Sequence, residues 1–163
     1  MIATFIVGIV NSMEILCDDY NLWRSLIAMA HVDGRLIREE TNFLEENIKA
    51  KAPDKYHQRL IAEIRSELFR PKPAEKFFTK IKKSSQKVAL LELANDLFMA
   101  DNHIDIRERN ELDKLIEFIR KDETAMTILR NEMLRWERDE KSKMLRLYIE
   151  DYLKEKGTGS KDT

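Results

Sequence analysis

The chain has 163 residues, which is one domain's worth of core, and its 29 Lys and Arg against 30 Asp and Glu leave a net charge of −1. Four Gly and three Pro are too few for the tight turns of a sandwich, barrel or doubly wound sheet, so the composition excludes an all-β fold and points away from α/β. No whole-chain field draws it to nucleic acid or anionic lipid, and the single Cys17 excludes an intramolecular disulfide. Cys17 reads as a buried structural thiol in a reducing, cytoplasmic compartment.

The expected fold is an all-α, single-domain bundle of seven to eight helices. Residues 1–18 hold the most apolar run, yet Ile2 to Val10 is about half of the ~20 residues that a spanning helix needs. The run also lacks the basic start of a secretory signal and reads as a core helix or docking segment, with membrane association not expected. A patterned helix follows from Asp19 to Val32, capped by Asp18 or Asp19 and stopped by Asp33-Gly34. Further helices are expected at Arg38 to Lys51 and, after Pro53, at Asp54 to Phe69. Pro71 and Pro73 mark a boundary before a short helix over Ala74 to Lys82. Ser84 or Ser85 should then cap a helix from Gln86 to Ala100. Asp105 and Glu108 have the spacing of a capping box and open the next helix. The last helix starts near Asp122 and runs toward Lys156, with the charged stretch Glu137 to Lys143 as the place where it bends or splits. Residues 157–163 read as a disordered tail.

Two helix-loop-helix units look alike. Setting Asp33 against Asp101 also aligns Leu36 with Ile104, Glu40 with Glu108, Leu44 with Leu112 and Ile48 with Ile116. Ala30-x-x-Asp33-Gly34-x-Leu36-x-x-x-Glu40 resembles the signature of the TerB-like domain, found in tellurite-resistance TerB proteins and at the amino end of DjlA-type co-chaperones. The resemblance covers Asp19 to Ile119 and implies an all-helical bundle with the motif repeated where Asp101 to Glu108 stands. Asn102 replaces the second glycine, Ile37 stands where a polar cap is usual, and no His-Pro-Asp triplet signals a J-domain.

Asp33, Glu40, Asp101 and Glu108 are the candidate metal ligands, since hard divalent cations such as Ca²⁺ or Mg²⁺ take carboxylates and loop carbonyls. The resemblance points the same way. Neither unit is an EF-hand, because Met29 and His31, or Leu97 and Met99, occupy the positions where that loop needs its first oxygen ligands. The competing account needs no ion: Asp33 tightens a turn, Gly34 reverses the chain, and Glu40 complements the helix dipole. No catalytic residue is assigned, for the chain shows neither a nucleophile-base set nor a Gly-rich phosphate loop. His31, His57 and His103 read as surface or helix-end histidines. In the basic stretch from Arg70 to Lys87, Phe77, Phe78 and Ile81 read as a core-facing stripe beneath solvated lysines; an acidic protein is the alternative and nucleic acid is not expected. The apolar residues at 144, 145, 148, 149, 152 and 153 would suit either closure of the bundle or an intermolecular contact. The expected function is a non-enzymatic interaction or regulatory module of a stress response, working through protein partners or self-association. Tellurite enters through the family resemblance alone. The alternatives are a metal-dependent or carboxylate-using enzyme, or a docking module with a basic patch.

Overall fold

The computed structural model describes residues 17–32, 38–67, 72–99, 106–136 and 140–161, with the side chains of α8 described over 143–156. Every regular element among them is a helix: α1 Tyr20–Ala30, α2 Arg38–Lys51, α3 Asp54–Glu67, α4 Glu75–Phe78, α5 Ser84–Phe98, α6 Ile106–Arg120, α7 Glu123–Arg135 and α8 Glu140–Lys161. No helix among the described residues is long and apolar enough to cross a membrane.

Local chemistry sets several of these boundaries. Asp19 caps α1, its Oδ1 accepting from the Asn21 amide at 2.8 Å, and Pro53 precedes α3 with its carbonyl receiving the Tyr56 amide. The expected cap at Ser84 or Ser85 is not what forms. Lys83 precedes α5 with no side-chain cap, and the Ser84 hydroxyl donates instead to Asp122 at 2.8 Å. A stronger, charged acceptor across the bundle takes the hydroxyl that would have served its own helix. The long final helix is split in two, α7 ending at Arg135 and α8 starting at Glu140. The backbone of α8 stays helical through Lys161, past the tail expected from Gly157; Gly157 and Gly159 together cost the helix only ~2 kcal/mol.

The bundle is built from two three-helix halves. In the first, α1, α2 and α3 pack on one another; in the second, α5, α6 and α7 do the same, and α1 packs along α5 between them. Matched positions have matched burial: Leu22 with Leu90, Trp23 with Leu91, Leu26 with Ala94, Leu44 with Leu112 and Ile48 with Ile116 are all in the core. α6 has 15 residues where α2 has 14, so the third helices align one residue further on, with Asp54 and Glu123 opening them and Leu60 and Leu129 fully buried. The repeat read from the loops therefore extends through a third helix. α1 and α5 are apolar around most of their circumference because each is covered on several sides. Burying Trp23 requires a partner for its indole N–H, and the Cys17 carbonyl provides one at 2.6 Å. The Cys17 amide in turn donates to the Lys51 carbonyl, which ties the entry to α1 to the end of α2.

Candidate functional site

Glu40 and Glu108 lie in the first turns of α2 and α6 and are both buried, 3% and 4% exposed. Carboxylates are seldom buried to that degree without partners, and both have them. The structure thus places the two repeated acids at matched, interior positions. Asp33 and Asp101, with Gly34, Asn102 and the Asp105 of the expected capping box, lie outside the described residues. Among the described residues, no group of three or more His, Cys, Asp or Glu side chains is gathered as metal ligands would be.

The remaining candidates of the sequence fall into place one by one. Cys17 is buried, and burial pushes its thiol up to about 11, as fits a structural rather than a reactive cysteine. His31 does end a helix but is not on the surface; it is 4% exposed and its Nδ1 donates to the Ile27 carbonyl at 2.8 Å. His57 donates from Nε2 to the Ala52 carbonyl at 2.9 Å. His103 lies outside the described residues. Phe77, Phe78 and Ile81 form the expected core stripe, while Lys76, Lys80 and Lys82 are exposed. Lys83 and Lys87 pair with acids of the same chain, Lys83 with Asp18 at the surface at 3.1 Å and Lys87 with the more sheltered Asp122 at 2.9 Å. Leu145 and Ile149 of α8 are buried, and Tyr148 and Tyr152 hydrogen-bond to Asp113 and Glu117 of α6. Most of the apolar stripe of α8 therefore closes the bundle, leaving Met144 and Leu147 exposed.

A cleft of about 110 Å³ between α5 and α7 was not anticipated from the sequence. Glu92, Asp96, Glu132 and Arg135 line it together with Lys51 and Cys17 over an apolar floor that includes Val88 and Leu93. Burial, with the charges of Glu132 and Asp96, pushes Glu92 up to about 7. One clue was present in the sequence, a carboxylate enclosed by Leu90, Leu91 and Leu93 on a helix that is apolar nearly all round. Its partner Glu132 sits some forty residues away, and only the packing of α5 on α7 brings the two together.

The fold and these sites define an all-α bundle of two repeated three-helix halves with a buried acid in each. No protein-family model matches the sequence, and neither a curated protein nor a solved structure matches it.

Proposed function

We propose that the chain is a non-enzymatic interaction or regulatory module of the TerB-like kind, working through protein partners or through self-association. The observation that carries this reading is the repeat. The motif on which the resemblance rests ends in Glu40 and Glu108, and both are buried in the first turn of the second helix of their half. A test is affinity capture from the native cell followed by titration of each recovered protein, purified, against the purified chain. The reading expects at least one direct complex at micromolar concentration. Failure of every recovered protein to bind together with a monomer by light scattering, or turnover of a substrate by the chain itself, overturns it.

Burial of the two acids also favours a second reading, in which Asp33, Glu40, Asp101 and Glu108 of the repeated loops hold a divalent cation such as Ca²⁺ or Mg²⁺. Buried carboxylates at the start of a helix supply hard oxygen ligands without a large ordering cost. Calorimetric titration with Ca²⁺, Mg²⁺ and Zn²⁺ tests it. A Glu40→Ala, Glu108→Ala double variant that binds ions as the parent does removes the reading.

A further inference from the structure

Five lysines and one glutamate stand in residues 72–83 of a chain whose net charge is −1. The lysines and Glu75 are all exposed, while Phe77, Phe78 and Ile81 between them are buried. Lys83 turns to Asp18 at 3.1 Å, but no salt bridge engages Lys76, Lys80 or Lys82 among the described residues. Cations gathered without neighbouring anions raise the potential of this face in spite of the near-zero total charge.

Beside them a groove of about 300 Å³ runs between α4, α6 and α8. Phe78 and Phe118, with ring centroids 5.4 Å apart, and Tyr152 give it an aromatic lining, and Lys114 and Lys121 border it. The α6 acids of the groove are committed within the chain. Glu117 takes two bonds from Arg120, at 2.6 and 2.9 Å, and a third from the Tyr152 hydroxyl at 3.3 Å. The Arg120 bonds hold its carboxyl below the ordinary carboxylate range. Asp113 accepts the Tyr148 hydroxyl, and Glu75 is the remaining acid of the lining. Lys114 and Lys121 are exposed and form no salt bridge among the described residues, so they extend the positive face of residues 72–83 across the groove.

We propose that this groove and its lysines dock an acidic segment of a protein partner, whose carboxylates meet Lys76, Lys80, Lys114 and Lys121 while one apolar side chain enters beside Phe118 and Tyr152. The proposal rests on the interaction-module reading and names the surface that module uses. Three features favour a peptide over other polyanions. Single-stranded nucleic acid stacks its bases on open aromatic rings; here Phe77 and Phe78 are buried, and cations already lie over Phe118 and Tyr152, Lys87 at 4.6 Å and Lys156 at 5.9 Å. A lipid surface takes up exposed apolar side chains, yet the exposed large hydrophobics among the described residues, Ile106, Leu134, Met144 and Leu147, neither line the groove nor fall in residues 72–83. Glu75, Asp113 and Glu117 interrupt the positive field that a continuous phosphate chain follows, whereas a peptide can space its acids to match.

Fluorescence anisotropy of the intact chain tests this with a fluorescein-labelled short peptide of Asp and Glu around a central Leu-Phe pair. Micromolar binding is expected at about 50 mM salt, weakening at least about fivefold by about 0.5 M. Lys76→Glu with Lys80→Glu should weaken binding by about tenfold. Lys49→Glu with Lys143→Glu makes the same change of charge on exposed lysines elsewhere and should weaken it by less than about twofold. A probe with Ser-Ser in place of Leu-Phe should bind about fivefold more weakly than its parent. Absence of binding, equal losses in the two double variants, or a Ser-Ser probe that binds as well overturns the proposal. So does tighter binding of a single-stranded oligonucleotide, or of phosphatidylserine vesicles, than of the peptide. The interaction-module reading survives each of these results, because a partner recovered from the cell can bind another face; it falls on its own test.

Discussion

Asp122 is half-buried and bonded to three groups, and replacing it should separate a helix cap from an ion pair. Its Oδ1 accepts the Ala125 amide at 3.1 Å at the start of α7. Oδ2 receives the Ser84 hydroxyl at 2.8 Å and Lys87 Nζ at 2.9 Å, both from the first turn of α5. Lys87 also lies over the Phe118 ring of α6, 4.6 Å from its centroid, so a single side chain holds three helices in register. Loss of an N-cap costs ~1 kcal/mol. The Lys87 and Ser84 bonds hold the carboxyl well below its ordinary 3.8, at about 2. At ~1.4 kcal/mol per pH unit that fall corresponds to ~2.5 kcal/mol. The amide bond contributes part of it, and solvent at a pair 12% and 19% exposed screens the remainder, leaving the charge ~1.5 kcal/mol.

Asp122→Ala should therefore cost ~2.5 kcal/mol at pH 7, which in a domain of this size lowers the melting midpoint by roughly 7 °C. Asp122→Asn keeps an oxygen for the Ala125 amide and loses the charge, and it should cost ~1.5 kcal/mol. The carboxyl is depressed in the fold, so the charge contribution is complete above 3.8 and is lost as pH falls through about 2. Urea unfolding followed by circular dichroism at pH 7, 4 and 2.5 measures all three chains. Equal losses in the two variants, or a parent-minus-Asn difference that stays constant down to pH 2.5, would refute the division into cap and charge.

Arg24→Ala breaks the Glu63 ion pair and removes a guanidinium stacked 4.4 Å over the Phe77 ring, and should cost ~3 kcal/mol in the same unfolding assay; a loss under ~0.5 kcal/mol would show the pair to be idle. Ending the chain after Lys141 uncovers the surface beneath Leu145 and Ile149, worth ~1.5–3 kcal/mol for each side chain. That chain should melt earlier and scatter light as an aggregating species, whereas an unchanged, stable monomer would show that α8 is not part of the core. Trp23→Phe leaves the Cys17 carbonyl without its indole donor and opens a small void; a loss of ~2 kcal/mol is expected, and thermal melting that matches the parent would count against the bond.

The helices and most of their ends were legible because their causes are local. Asp19 and Asp122 cap the helices whose starts they were expected to mark, and the apolar positions of α2 and α6 recur at the spacing that buries them. Ser84 was misread for the opposite reason, since its hydroxyl is claimed by Asp122, 38 residues away. The repeated acids were legible as positions, Glu40 and Glu108, while the loops that would complete an ion site lie outside the described residues. Glu92 was passed over because nothing in its own neighbourhood names Glu132. Arg24 and Glu92 fall together at the shift that aligns Asp33 with Asp101, but their opposite numbers Glu63 and Glu132 match only once the third helices are aligned one residue further on, an offset that the extra residue of α6 introduces.

That relation sets a test of the repeat itself. If the contact between first and third helices does the same mechanical work in both halves, the second half can be rebuilt in the image of the first. Glu92→Arg places a guanidinium where Arg24 stands in the other half, with Glu132 in the place of Glu63. Arg135 already binds Glu132 at 2.5 Å, but its side chain is 56% exposed and can turn to solvent at little cost. Burial pushes Glu92 from 4.5 up to about 7, so the parent's stability should fall as pH rises through about 7, and that of Glu92→Arg should not. Urea unfolding at pH 5 and 8.5 measures both chains. A variant that folds but loses stability with rising pH as the parent does would place the titrating group elsewhere, with Asp96 the next carboxylate on the cleft wall to replace.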